Sequence, residues 1–208
     1  MLYSKEPIEK FIKDLSAKLP APGGGSAAAL TGAIAASLNC MVANFTIGHE
    51  KYKEFEKECS DLLNESVKLR DELLNLMQAD TEAYTLVLKS YKMPKETDSQ
   101  ILERDKAIEE VLKKAAEIPY KMISICYRIL LICKPLLIKG NKNLVSDVGV
   151  SATLALSSMK SAFLNVKINF FYLKDKEYKD KIMKEINLIL KEADSLEREV
   201  WEECNKRF

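Results

Sequence analysis

The sequence predicts an all-α protein: a single helical bundle over residues 1–208, with six to seven helices, one long central uncharged helix and no sheet. Three observations predict it. Apolar residues recur at helical spacing through most of the chain. The seven glycines include one run of three, and no short turn of hairpin type separates alternating segments. From Ala21 to Gly48 there is no Asp, Glu, Lys or Arg, so one helix must be covered all round by the others.

The first helix is expected from about Glu6 to Lys18, with Ile8, Phe11, Ile12 and Leu15 on one face. A loop rich in Pro and Gly, Leu19 to Ser26, ends it. The second is the uncharged helix, from about Ser26 to Ile47. Its length approaches a membrane span of roughly 20 residues. Thr31, Gly32, Ser37, Asn39 and Asn44 interrupt it, however, and a buried core helix is the reading adopted, with no membrane as partner. The third helix runs from about Tyr52 to Tyr91 and stops before Pro94. A fourth covers Ser99 to Glu117. Pro119 is expected to kink or restart it, and the continuation reaches about Ile138. Lys139 to Asn143 forms a Gly/Asn turn. The last two helices are expected over Ser146–Leu173 and Lys176–Cys204, the final one amphipathic and heavily charged, as an outer helix should be. No repeat and no linker divides the chain.

Lys and Arg total 32 against 31 Asp and Glu, so nothing predicts a nucleic-acid surface or a basic membrane-binding face. The five cysteines, Cys40, Cys59, Cys126, Cys133 and Cys204, form no CxxC and read as reduced thiols of a cytoplasmic protein. No metal site is expected, since paired ligands are missing. The single histidine, His49, sits beside Gly48 at a helix end, and no His-based triad can be assembled. Met1 to Lys18 alternates charge with apolar residues, unlike the apolar core of a signal peptide.

Three constellations carry possible chemistry. Gly23, Gly24, Gly25 and Ser26 open the uncharged helix. Such a turn lets a ligand approach backbone N–H groups at a helix N-terminus, or simply ends in Ser26 as an N-cap. Asp80 lies on the inner stripe of the third helix with Leu73, Met77, Tyr84, Val87 and Tyr91. An acid there either pairs with a base or caps a neighbour, or it is a proton-transfer group with a raised pKa. On the Ser146–Leu173 helix, Asp147, Ser151, Ser158, Asn165 and Asn169 share a narrow arc, with Lys160 and Lys167 opposite. Small polar groups on one face line a ligand cleft or hydrogen-bond to a neighbouring helix or a second copy. Phe55, Tyr84 and Phe163 read as core.

These residues resemble the motifs of the cyclodeaminase/cyclohydrolase family. Pro22 to Ala29, followed by Met41-Val42-Ala43-Asn44-Phe45-Thr46, is similar to its glycine loop and first core helix. Asp80-Thr81-Glu82-Ala83-Tyr84 resembles its Asp-x-x-Ala-aromatic segment. Gly140-Asn141-Lys142-Asn143-Leu144-Val145-Ser146-Asp147 resembles its Asn-x-Asn-x-x-Ser-Asp motif, and Asn165-Val166-Lys167-Ile168-Asn169 its Asn-Val-x-Ile-Asn motif. The resemblance covers most of the chain in the expected order.

It implies an all-α homodimer that binds a reduced folate and needs neither cofactor nor metal. It implies hydrolysis of 5,10-methenyltetrahydrofolate to 10-formyltetrahydrofolate, or else release of ammonia from the 5-formimino compound. Asp80 and Asp147 become the catalytic pair. Gly23, Gly24, Gly25, Ser26, Asn44, Asn141, Asn143, Ser146, Asn165 and Asn169 become substrate-binding residues, with Lys142 as a contact for the folate's anionic tail. A non-catalytic helical interaction protein is the alternative from another class.

Overall fold

The computed structural model describes residues 2–207. Its six α-helices are α1 (Ile8–Leu15), α2 (Gly24–Asn44), α3 (Glu56–Tyr91), α4 (Asp98–Lys139), α5 (Val145–Tyr172) and α6 (Lys176–Asn205). Three short 3-10 segments, Tyr3–Lys5, Glu50–Phe55 and Lys142–Leu144, precede α1, α3 and α5, and no strand occurs among the described residues.

The uncharged helix is the centre. α2 packs against α3, α4 and α5, and Ala29, Ala35, Ala36 and Ala43 are wholly buried. Small side chains let the rods approach closely. A Cβ on Gly32 would lie 2.7 Å from Cys126 Sγ on α4 and 3.0 Å from both Leu73 Cδ1 on α3 and Ser158 Oγ on α5. Around this crossing Leu69, Leu73, Met122, Ile123, Ile129 and Leu130 are fully buried, each contributing about 1.5–3 kcal/mol of hydrophobic stabilisation. α2 is long and apolar enough to cross a membrane by length and composition, and 61% of that span is buried inside the bundle.

Buried polar side chains stitch the rods together. Ser151 and Ser158 of α5 donate to the carbonyls of Ala35 (2.8 Å) and Ala28 (2.7 Å) on α2. The amide of Asn39 donates to Ile129 O on α4 at 3.0 Å. All five cysteines are free and buried. Burial pushes the Cys126 thiol up to about 12 and the Cys133 thiol to about 11, so neither is ionised at neutral pH.

Two expectations about elements are corrected. The helix does not restart at Pro119: α4 runs on through Pro119 and Pro135, which makes six α-helices. A proline inside a helix costs about 3 kcal/mol, but Leu112, Ala116, Met122 and Ile123 are buried on both sides of Pro119, and that burial holds the rod together. The start of α3 is also later than expected, because Glu50–Phe55 forms a 3-10 turn first. α6 behaves as the outer helix, burying Ile186, Ala193 and Val200 at seven-residue spacing.

Candidate active site

α3 carries Asp80 one turn beyond the buried Met77, where the first turn of α2 abuts it. The Ser26 hydroxyl donates to Asp80 Oδ2 at 2.9 Å, and the Ser26 backbone N–H also bonds the carboxyl. The carboxyl therefore occupies the amide end of α2, where a helix favours negative charge. Gly25 makes this seat possible: a Cβ there would lie 2.5 Å from Asp80 Cγ, an impossible contact. Burial raises the Asp80 pKa above the ordinary carboxylate value, and the two hydrogen bonds from Ser26 partly counter it.

Asp80 opens onto a cleft of about 600 Å³. Gly23, Gly24 and Gly25 form one wall. Asn165, Ile168, Asn169 and Tyr172 of α5 form another, and Tyr84, Val87, Leu88 and Tyr91 continue α3 along a third. Leu112 and Ala115 of α4 close the back. Asn165 and Asn169 each donate from Nδ2 to a carbonyl of their own helix, Ser161 O and Asn165 O, both at 2.9 Å. The cleft thus joins one half-buried acid, two side-chain amides and a rim of tyrosines.

A second cleft, of about 640 Å³, lies at the other end of α2. His49, Lys51, Tyr52, Phe55, Asn141, Lys142 and Asn143 line it. Asn141 is largely committed to holding the turn. Its backbone N–H donates to Thr46 Oγ1 at 2.9 Å, its Nδ2 to Phe45 O at 3.1 Å, and its Oδ1 accepts from Asn143 N at 3.1 Å. Asn44 closes α2 at this end, and Ser146 and Asp147 stand in the first turn of α5. No group of three His, Cys, Asp or Glu side chains suited to a metal occurs among the described residues.

A family model described as formiminotransferase-cyclodeaminase matches residues 7–188. The chain belongs to this family. It is 37% identical over 201 residues to a methenyltetrahydrofolate cyclohydrolase of Methylorubrum extorquens, covering 97% of both chains. To the formimidoyltransferase-cyclodeaminase of Gallus gallus it is 27% identical over 188 residues, covering 90% of this chain and 35% of that one. The chain spans about a third of the length of such two-activity relatives. A crystal structure of formiminotetrahydrofolate cyclodeaminase from Thermotoga maritima superposes with a TM-score of 0.81 at 26% identity, covering 99% of this chain and 96% of the other.

Placed on the fold, the cyclodeaminase-family motifs fall into two groups. Gly23, Gly24, Gly25, Asp80, Asn165 and Asn169 meet at one end. Asn44, Asn141, Asn143, Ser146 and Asp147 gather at the other, separated by the length of α2, roughly 30 Å at 1.5 Å per residue. Asp80 and Asp147 therefore stand at opposite ends of the bundle and do not meet within one chain. The expectation for Ser26 is corrected: it is fully buried and touches Asp80 rather than the cleft. The polar arc of α5 divides, with Ser151 and Ser158 bonding to α2 while Asn165 and Asn169 line the cleft.

Tyr84 is not core. It is 46% exposed and stands in the cleft wall, as do Tyr91 and Tyr172. The spacing of Asp80, Tyr84, Val87 and Tyr91 on one helical face was the signal for this wall. The α4 contribution, Leu112 and Ala115, had no signal, because apolar residues at a cleft and in a core read alike.

Proposed function

We propose that this protein hydrolyses 5,10-methenyltetrahydrofolate to 10-formyltetrahydrofolate. The observation that carries the reading is the Asp80 carboxyl, seated on the first turn of α2 and opening onto a cleft lined by amides and tyrosines. The full-length match to a relative named methenyltetrahydrofolate cyclohydrolase supports the choice of reaction. The substrate brings its own electrophile, a cationic carbon between two nitrogens, so the reading needs no metal or cofactor.

Asp80, as carboxylate, takes one proton from the water that adds to that carbon. The adduct is neutral. Its C–N5 bond then breaks while Asp80 returns a proton to N5, the hydroxyl loses its own proton and becomes the formyl oxygen, and one proton leaves to solvent. A carboxyl whose pKa is raised by burial is a stronger base than an ordinary aspartate, and holds the accepted proton long enough to return it to N5. The flat ring would lie among the tyrosines and the amides of Asn165 and Asn169.

The reading extends to a homodimer in the cytoplasm, where five buried thiols stay reduced. Ile34 of α2, Phe45 just past its end, and Val150, Leu164, Ile168 and Phe171 of α5 are exposed, and α2 carries no charge at all. Two-fold packing of these faces, antiparallel, would set the Asp80 end of one copy beside the Asp147 end of the other. Asp147 would then stabilise the cation that Asp80 helps to hydrate.

The same cation arises when a 5-formimino group closes and loses ammonia, and the Thermotoga maritima and Gallus gallus relatives carry cyclodeaminase names. Parallel assays separate the two: loss of the methenyl compound in one, ammonia from the formimino compound in the other. Methenyl turnover should dominate. In Asp80→Asn it should fall about 10²–10⁴-fold with the fold intact. Near wild-type turnover in that variant removes Asp80 from the chemistry, and failure to bind any reduced folate would leave a non-catalytic helical protein.

A further inference from the structure

Ser26 stands apart from the rest of the glycine loop. It is fully buried, and its hydroxyl has three oxygens in reach: Asp80 Oδ2 at 2.9 Å, Met77 O at 3.3 Å and Thr81 Oγ1 at 3.3 Å. A hydroxyl has one proton to give and lone pairs to receive another. While Asp80 is ionised, the carboxylate is the closest and the only charged acceptor, so it takes the Ser26 proton. When Asp80 is protonated, the same hydroxyl can turn its proton to the Met77 carbonyl and accept from the carboxylic acid.

We infer that Ser26 is a positioning residue for Asp80, holding the carboxyl against α2 and satisfying it in both of its protonation states. The inference rests on the reading of Asp80 as the proton-transfer group. An acid that must cycle between charged and neutral forms in a half-buried seat needs a partner that suits both, because an unsatisfied buried polar group is costly in either form. The Ser26 backbone N–H, by contrast, can only donate, and serves the carboxylate alone. Nothing else among the described hydrogen bonds of Asp80 offers an acceptor.

Removing the hydroxyl costs the carboxylate a charge-assisted bond and the carboxylic acid only a weaker neutral one, so the Asp80 pKa moves further in the direction that burial already pushes it. The limb of the pH–rate profile that belongs to Asp80 therefore shifts to higher pH whether the ionised or the protonated form is required. In Ser26→Ala the shift should be about one pH unit. Turnover number should fall about tenfold while KM stays within about twofold, because Ser26 does not line the cleft. Ser26→Cys, which keeps a buried side chain with a weak S–H donor, should shift the limb the same way by less. Ser158→Ala removes another buried hydroxyl bonded to α2, one that does not touch Asp80. It should lower thermal stability and leave the limb in place.

The deciding measurement is independent of turnover. Carbon-13 NMR of aspartate carboxyls in the ligand-free protein, with the Asp80 signal assigned by its loss in Asp80→Asn, follows the titration directly. An upward shift of that titration in Ser26→Ala, or a smaller one in Ser26→Cys, supports the inference. An Asp80 titration unchanged in the folded variants overturns it. Should the titration move while the wild-type protein turns over neither folate, the positioning role stands and the proposed function fails.

Discussion

Gly25→Ala is the sharpest test of how the acid is seated. The added Cβ would fall 2.5 Å from Asp80 Cγ and closer still to Oδ1. Neither partner has room to yield: Gly25 sits in the first turn of α2, and Asp80 is a short side chain on a 36-residue helix. The carboxyl must swing off and give up its hydrogen bonds from Ser26, each worth about 1.5–3 kcal/mol when the acceptor is charged. Alanine recovers at most about 1 kcal/mol of helix propensity, and less so near a terminus. The expected outcome is a protein less stable by about 2–5 kcal/mol, with methenyl turnover reduced at least 10²-fold. Gly24→Ala is the control one residue away. Its Cβ would lie 3.7 Å from the Asn165 amide, an ordinary contact, and it should keep the wild-type melting temperature. Turnover measured by loss of the methenyl chromophore, with thermal melts alongside, reads both. Equal melting temperatures in the two alanine variants would refute the reasoning.

Mixing Asp80→Asn with Asp147→Asn protein and allowing subunit exchange should restore about a quarter of wild-type activity, since half the dimers would carry one intact composite site. No recovery after proven exchange would place both aspartates outside a shared site. At the N-terminus, Lys10 and the Tyr3 hydroxyl hold Asp14 below the ordinary carboxylate pKa, Lys10 being the stronger cause. A lowered folded-state pKa means that the stabilisation is present above the unfolded value and lost as pH falls towards the folded one. Asp14→Asn should therefore narrow the difference between melting temperatures at pH 5 and pH 3. A difference as wide as in the wild type would show that the pair does not contribute.

Much of this architecture was legible in the sequence because its signals are local. The charge-free run from Ala21 to Gly48 read as a core helix, although Ile34 leaves part of it exposed, and the amphipathic, heavily charged run from Lys176 to Cys204 read as an outer one. Asp80 stood out as an acid on an apolar stripe. What escaped was set by contacts between elements. Pro119 reads as a break until its neighbours are seen buried on several sides. Ser26 reads as a cap or a ligand contact until α3 brings a carboxylate to it. The five polar positions of α5 share an arc, yet their fates differ because α2 covers Ser151 and Ser158 and stops short of Asn169. The split of the motifs between two ends follows from α2 and α5 running antiparallel, which a list of motifs in chain order conceals.

The acid of this cleft comes from the middle of one rod and rests on the tip of another, so it has no hinge of its own. Ligands must come to it. Whatever distinguishes one leaving group from another then has to be decided around the mouth, where Tyr84, Tyr91 and Tyr172 are partly free of the packing. Replacing those rings leaves the joint between α2 and α3 intact. On the proposed reading, a scaffold built this way can either take up water or let ammonia go by remodelling the entrance, with Asp80 left in place.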